Sequence, residues 1–376
     1  MILKSIDYSE NKDTPQYWEI QGVEFGQRNL IVGLNATGKS RLLYAILKLA
    51  GFLKPDPPEP LPIDILTYGH WKTQFYDETK DIVVVYEIEM GNSIVKTEII
   101  TANGKVVLTR NNDKGSILQA DTGRFVEFSE LSSRSSLHNL HDPMLYPIPK
   151  KLVDWAAGCW YFPFDQRNQD VEYWAKEKKE NAYAPTIIPL LNRLLTDNVT
   201  KRNLIKDFND IGYPIDDLYT EQLRHPPYSE DTIEVSVKEK NLECLTKHYA
   251  MSQGMFRALT LLVITEYLLS KISKHTIVID DIGEGLDFER SSILMKLIFS
   301  KLKDSNIQFI AATNNRFLIN AVDIRDLNIL EREGHVVKSY NYSNSKEQFD
   351  EFEFTGLGSF DLFRYQMYKT QETQVE

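Results

Sequence analysis

The residues from Gly33 to Ser40 read GLNATGKS and fit the pattern G-x-x-x-x-G-K-[ST]. Glycines at both ends of such a loop allow a tight turn, so that successive N–H groups point into one concavity suited to phosphate oxygens. Lys39 is placed to reach the β- and γ-phosphates, and the Ser40 hydroxyl to ligate Mg²⁺. The pattern therefore predicts a site for ATP and Mg²⁺. The residues predicted to contact the nucleotide here are Gly33, Asn35, Ala36, Thr37, Gly38, Lys39, Ser40 and Arg41.

A second group of polar residues lies within the segment HTIVIDDIGEGLDFERSSILMKLI at 275–298. The apolar run TIVI predicts a buried strand, and Asp280 and Asp281 follow it at the end where an open parallel sheet places its ligand chemistry. Asp280 suits the hydration shell of Mg²⁺, and Asp281 stands where a second carboxylate orients the attacking water. Taken alone, the pair also fits a simple cap on the next helix.

The elements that must position these residues are visible around them. A short apolar run, NLIVG, precedes the loop as a strand, and residues 40–53 space their leucines and isoleucines as a helix does. Further on, Ser252-Gln253-Gly254 precedes a strongly apolar helix. Ser252 is a good N-cap, and the helix N-terminus is a second place for an anion. Alone, this feature predicts a capped helix and nothing more.

The order of these motifs resembles that of ABC-type ATPase heads, and within them the branch that contains RecF, SMC and OLD-family proteins. MSQGMFRAL, at 251–259, is similar to the signature L-S-G-G-Q-x-x-x-L, and DDIGEGLD aligns Asp287 with the D-loop aspartate. The resemblance implies an α/β P-loop NTPase of ABC-head type. Its core sheet would be mostly parallel and flanked by helices, with an antiparallel β-subdomain and a helical insertion.

The resemblance also implies a mechanism that needs two subunits. Two ATP molecules would lie between the P-loop of one subunit and Ser252 and Gly254 of the other, in a homodimer or a higher homo-oligomer. Asp281 stands where the family usually has Glu, which retracts the carboxylate by roughly 1.5 Å. Asn314 replaces the usual switch histidine and cannot become charged. Both departures predict slow hydrolysis and an ATP-gated switch.

The glutamine that senses Mg²⁺ and water in such heads has two candidates in WYFPFDQRNQD. Gln166 is the preferred one, as a nucleotide and metal contact, because it follows a β-rich apolar run. Gln169 is its rival, and a plain turn without a functional glutamine is a third interpretation.

Residues 1–170 are predicted to form the P-loop lobe, with a β-meander at about 63–130 that is clearest over 81–111. Residues 171–247 are predicted to be a helical insertion. The absence of a heptad run there indicates a compact lobe and not the coiled-coil arm of SMC proteins. Residues 248–343 would form the lobe with the signature and Walker B motifs. The aromatic segment 344–376 would either pack on the head or dock a partner.

The composition is that of a cytoplasmic protein, with two cysteines and no apolar run long enough to span a membrane. The resemblance implies two functions. One is a switch in bacterial antiphage defence that gates a separately encoded effector, a nuclease or toxin, in response to a phage-derived trigger. The other is a RecF-like DNA-repair ATPase that acts directly on DNA. A net charge of −11 favours the first, because binding a polyanion requires local lysine and arginine.

Overall fold

The chain forms both strands and helices, with several runs of consecutive strands. A computed structural model describes residues 1–55, 68–162, 173–174, 187–223 and 232–369. The strands are β1 (Ile2–Glu10), β2 (Trp18–Glu24), β3 (Arg28–Val32), β4 (Tyr68–Asp77), β5 (Ile82–Gly91), β6 (Ile94–Ala102), β7 (Lys105–Asn111), β8 (Lys114–Leu118), β9 (Phe125–Ser129), β10 (Cys159–Phe162), β11 (Tyr173–Trp174), β12 (Ile215–Leu223), β13 (Thr232–Glu239), β14 (Thr246–Lys247), β15 (His275–Ile279), β16 (Ile307–Thr313), β17 (Leu327–Glu333) and β18 (Val336–Asn341). The helices are α1 (Lys39–Leu53), α2 (Pro147–Ala157), α3 (Ile187–Leu194), α4 (Asn198–Asp210), α5 (Gln253–Leu269), α6 (Phe288–Leu302), α7 (Arg316–Ile319), α8 (Lys346–Glu353) and α9 (Ser359–Arg364).

One large sheet contains the strand that leads into the P-loop. Its order is β10-β15-β16-β3-β17-β18-β2-β1-β4-β5-β6-β7-β8-β9. In this order, the first five strands, β10-β15-β16-β3-β17, are parallel to their neighbours. The last eight strands, which begin with β2, are antiparallel to one another. Residues 81–111, expected as a meander, form β5, β6 and β7. The antiparallel layer is continuous with the parallel core, because β18 pairs with β17 on one side and with β2 on the other.

The two faces of the parallel strands carry different cores. Leu30 and Val32 of β3 point into one core, and Ile31, between them, points into the other. The side chains of β15 and β16 also point alternately into the two cores, because successive side chains of a strand lie on opposite faces of the sheet. Helix α1 packs on the Ile31 face, whereas α5 and α6 pack on the opposite face. The P-loop helix and the Ser252 helix are therefore held by opposite sides of one sheet.

Most residues of helix α5 from Met255 to Leu268 are apolar, and nearly all of the helix is buried. A helix with this composition must be covered on every side. The sheet covers one side of α5, and α3 and α4 pack against the other. None of the helices in the described ranges is both long and apolar enough to cross a bilayer.

The interval predicted to be a helical insertion is mixed. Its described residues form α3 and α4 but also β12 and β13, which pair antiparallel in a second, smaller sheet with β11 and β14. A helical structure is therefore wrong for 215–223 and 232–239, which are strands. In β13, Ile233, Val235 and Val237 alternate with polar residues and point into the core that contains α5.

The C-terminal aromatic segment divides into a buried and an exposed set. Phe349, Phe352 and Tyr368 lie in the same core as α5, together with Leu362. These side chains pack on the head, as the first of the two interpretations of this segment predicts. The exposed set is Phe354, Leu357, Tyr365 and Met367.

Candidate nucleotide-binding site

The loop between β3 and α1 has the geometry that its two glycines require. Gly38 has φ +103°, and a Cβ there would lie 2.6 Å from Cζ2 of Trp18. A Cβ on Gly33 would lie 2.5 Å from Oγ1 of Thr37 and 2.9 Å from the carbonyl oxygen of Leu330. Contacts this short exclude any side chain, so both positions demand glycine for reasons of space.

Lys39 is the first residue of α1 and reaches back over the loop. Its Nζ donates to the carbonyl oxygens of Gly33 at 2.9 Å and Leu34 at 3.0 Å. Burial lowers the pKa of the Lys39 ammonium, whereas the carboxylates of Asp281 and Asp280 raise it. The two hydrogen bonds hold Lys39 beside the loop, and the predicted acids lie near enough to interact with its ammonium group.

Asp280 and Asp281 follow β15, as the sequence predicts. Asp281 lies in the left-handed region with φ 46°, and its N–H donates to Oδ1 of Asp280 at 3.1 Å. Although its side chain is accessible, the protein around it removes part of its hydration and raises the pKa of Asp281. Asp280 raises this pKa further, and Lys39 lowers it.

Lys39 and Asp281 line an open cleft of about 440 Å³, within the range of ligand pockets, whereas the predicted residues Gly33, Thr37 and Asp280 are not part of its lining. Asn314, which follows β16, reaches the loop: its Nδ2 donates to Oδ1 of Asn35 at 3.1 Å. Trp18 and Arg332 also line the cleft, and the sequence analysis did not single them out. Both come from strands distant in the sequence, β2 and β17, so no local pattern marks them. The lining is Trp18, Asn35, Ala36, Gly38, Lys39, Ser40, Arg41, Asp281, Asn314 and Arg332.

The residues present fit a nucleotide with Mg²⁺. The loop turns tightly at Gly38, where a Cβ would clash with Trp18, and Ser40 and Asp281 offer oxygen ligands in the same cleft. Within the described ranges no group of three or more His, Cys, Asp or Glu side chains could hold a metal ion. This agrees with Mg²⁺ chemistry, because that ion is usually held by one or two carboxylates together with phosphate oxygens.

Ser252 and Gly254 do not line this cleft. Ser252 is the N-cap of α5, and its hydroxyl accepts from the N–H of Met255 at 3.2 Å. A Cβ on Gly254 would lie 2.6 Å from the carbonyl oxygen of Gly285, so the start of α5 is packed closely against the segment before Asp287. Their role toward a nucleotide stays a prediction.

Asp287 is the N-cap of α6. Its Oδ1 accepts from the backbone N–H of Arg290 at 2.9 Å, and its Oδ2 pairs with the Arg290 guanidinium at 2.9 Å. The aspartate therefore has a structural role within its own chain. Gln166 and Gln169 lie outside the described residues.

An ion pair that the sequence analysis missed joins α5 to the segment after Asp281. Arg257 is buried, with 3% of its side chain exposed, and its Nη2 lies 3.4 Å from Oε2 of Glu284. Burial lowers the pKa of the Arg257 guanidinium, and Glu284 raises it. A run of apolar residues around Arg257 gave no sign that its charge would be buried and paired.

The sheet order and the two helical layers that cover it are similar to those of solved SMC head domains. One solved example is the SmcHead bound to the C-winged helix domain of ScpA. It aligns with 90% of this chain and 97% of its own, with a TM-score of 0.52 and 16% identity. A second is the Smc head domain with an extended coiled coil bound to the C-terminal domain of ScpA derived from Pyrococcus furiosus. It aligns with 94% of this chain and 99% of its own, with a TM-score of 0.50 and 13% identity.

At these identities the likeness shows the fold alone. It confirms the prediction of an α/β fold with a large sheet, at the level of a fold similar to SMC heads. No protein-family model and no curated protein matches the chain.

Proposed function

We propose that this protein binds ATP with Mg²⁺ in the cleft and hydrolyses it slowly to ADP and phosphate. The observation that carries the proposal is the placement of Lys39 against the loop carbonyls, with Ser40 and Asp281 lining the same cleft. Lys39 and the N-terminus of α1 would bind the phosphates. Ser40 and Asp280 would hold Mg²⁺, together with Gln166 if that residue has the predicted role. The ion would supply neutralisation of the phosphate charge.

Asp281 would orient the attacking water and accept its proton. Its shorter side chain and the uncharged Asn314 opposite it both support slow turnover, since a base must lie within hydrogen-bond reach of its proton. The experiment is a titration with a fluorescent ATP analogue, followed by measurement of phosphate release. Absence of saturable binding in the presence of Mg²⁺ would overturn the proposal.

ATP binding would close two copies of the chain around the nucleotide. Two exposed apolar side chains support a surface that the second copy of the chain would cover. Leu34, in the P-loop itself, is 69% exposed, and Phe288, next to Asp287, is 60% exposed. Ser252 and Gly254 lie outside the cleft of their own chain, as expected of residues that act on a neighbour's phosphate. A dimer that forms on adding ATP, measured by light scattering, is the expected result.

The closed dimer would gate a separately encoded effector, a nuclease or toxin, in bacterial defence against phage. The exposed apolar set at the C-terminus supports a docking surface for that partner, with Phe354 92% exposed and Tyr365 59% exposed. Both solved relatives in fold were determined with a domain of ScpA bound, so this fold accommodates a protein partner. Co-purification with the product of an adjacent nuclease or toxin gene tests the proposal.

The proposed setting is the cytoplasm, where a phage-derived trigger would be met. Direct action on DNA, as in RecF-like repair, is the alternative. The net charge of −11, and the short helices in the described part of the inserted lobe, speak against an extended DNA-binding surface. Binding to a DNA duplex that requires ATP and persists at physiological salt would favour the alternative.

A further inference from the structure

Arg41 stands at the mouth of the cleft with one side covered. Its guanidinium carbon lies 4.7 Å from the centre of the Trp18 ring, the spacing of a cation stacked on an aromatic face. Trp18 is buried, whereas 40% of the Arg41 side chain is exposed, and both residues line the cleft. The indole thus covers part of the guanidinium and leaves the remainder open toward the nucleotide site.

Glu10 fixes the orientation of this arginine. Its Oε1 accepts from Nε of Arg41 at 2.5 Å, and its Oε2 accepts from the hydroxyl of Tyr8 at 2.5 Å. Lys48 lies 3.7 Å from the same Oε2. A guanidinium held in this way loses little conformational freedom when a ligand stacks on it.

The arrangement is poorly suited to a phosphate contact. Glu10 already pairs with Arg41, which offsets part of its charge, and occupies its Nε. The phosphates have their own partners in Lys39 and the N-terminus of α1. A planar, delocalised and partly neutralised cation instead suits a flat aromatic ligand, and nucleobases stack on arginine guanidinium planes.

We infer that the open side of Arg41 stacks against the nucleobase of the bound nucleotide. Trp18, Arg41 and the base then form three layers. The inference rests on the proposed binding of ATP in this cleft. It assigns the base to the side of the cleft formed by β2 and α1.

The test compares ATP with inorganic tripolyphosphate, which has the phosphates but no base, by calorimetric titration. Arg41→Lys keeps the charge and a partner for Glu10 but removes the planar group. We expect ATP to bind about 10-fold more weakly and tripolyphosphate to change by less than about twofold. Parallel weakening of both ligands would make Arg41 a phosphate contact, and no change for either would remove it from the site; both results overturn the inference. Binding of neither ligand by the wild type would instead reject the proposed function.

Two further variants keep the test valid if Arg41→Lys melts at a lower temperature. Glu10→Gln preserves the shape that receives Tyr8 but releases Arg41. ATP should then weaken by about threefold while tripolyphosphate binds as well or better, because the cleft becomes more positive. Lys206→Ala, which removes an exposed lysine that neither lines the cleft nor pairs with Glu10, is the control, and both affinities should stay unchanged. If Glu10→Gln weakens tripolyphosphate as much as ATP, the stacking inference fails.

Discussion

Asp281 shows how a single backbone angle bears on the chemistry of the cleft. Its φ of 46° lies in the left-handed region, which aspartate and asparagine tolerate better than longer side chains do. Glutamate, the usual residue at this position in the ATPase heads that the sequence resembles, would carry a larger backbone cost. The local conformation is therefore a physical reason for the shorter acid.

Asp281→Asn should leave ATP binding intact and abolish hydrolysis, because asparagine fits the same backbone and cannot accept the proton. Asp281→Glu should hydrolyse ATP faster than wild type, because its longer side chain brings the carboxylate closer to the attacking water. It should also be somewhat less stable, because glutamate tolerates a φ of 46° less well than aspartate does. Phosphate release at saturating ATP measures both variants. Unchanged turnover in the asparagine variant would move the role of base to Asp280 or Glu284.

The pH dependence of hydrolysis follows from the same residue. The pKa of Asp281 is raised above its ordinary value, mainly by burial and by Asp280. A base must be deprotonated, so turnover should be full above this raised pKa and fall as the pH drops through it. The acid limb should therefore lie above the ordinary aspartate value of 3.8. A rate that does not fall anywhere on acidification, while the protein stays folded, would contradict the assignment.

Lys39→Ala should weaken ATP binding by at least about 100-fold, since a charge-assisted contact to phosphate is lost in a partly dehydrated site. Lys206→Ala, which removes an exposed lysine on α4, is the matched control for net charge. A fluorescent ATP analogue measures both. Equal affinities in the two variants would show that Lys39 does not contact the nucleotide.

At the scale of the elements, the P-loop and the strand before Asp280 were predictable because their chemistry is written in contiguous residues. Ser252 as the N-cap of α5 was predictable for the same reason. Trp18 and Arg332 were not, because β2 and β17 reach the cleft only through sheet pairing. The strand β13 was missed because an alternating pattern of eight residues is a weaker signal than the helical periodicity before it.

The loop itself depends on Gly38 for space as well as for φ. Gly38→Ala adds a clash with Trp18 at 2.6 Å to the backbone strain of φ +103° and should prevent ATP binding. Gly104→Ala is the control, because Gly104 also has a positive φ, +76°, but no atom lies within 4 Å of its Cβ position. It should cost only about 1–2 kcal/mol of stability and leave ATP binding unchanged. Tight ATP binding by Gly38→Ala would show that the loop can move away from Trp18.

Ser252 has a capping role that can be separated from its predicted role in dimer closure. Ser252→Asp keeps an N-cap of equal quality, so the melting temperature should stay within a few degrees of wild type. Its negative charge would repel the phosphate of the neighbouring subunit and abolish the ATP-dependent dimer, while the cleft still binds ATP. Ser252→Arg should lose both the cap and the dimer. If light scattering shows that the Ser252→Asp protein still doubles in mass with ATP, the two subunits do not close through Ser252.

At the scale of the whole molecule, the C-terminal segment is both part of the core and part of the surface. Deleting residues 345–376 removes Phe349, Phe352 and Tyr368 from the core. Each such side chain contributes roughly 1.5–3 kcal/mol, so the truncated protein should melt many degrees below wild type. Truncation therefore cannot test docking.

The double variant Phe354→Ala, Tyr365→Ala changes only exposed side chains. It should melt like wild type, bind ATP normally and fail to co-purify with the effector encoded beside it. Phe349→Ala is the opposite control, because it should lower the melting temperature through the core. Retained co-purification in the double variant would exclude this surface as the docking site.

The sheet order also determines when the nucleotide site comes into existence during synthesis. Strand β3 is made early, yet its two neighbours in the sheet are β16 and β17, from the last fifth of the chain. Leu3 likewise exchanges hydrogen bonds with Gln308. Until the ribosome has released residues 307–333, β3 has no strand on either side, and the loop that follows it has no support. The nascent chain should therefore acquire nucleotide binding only after residues 307–333 have left the ribosome, because β3 needs both of these neighbouring strands.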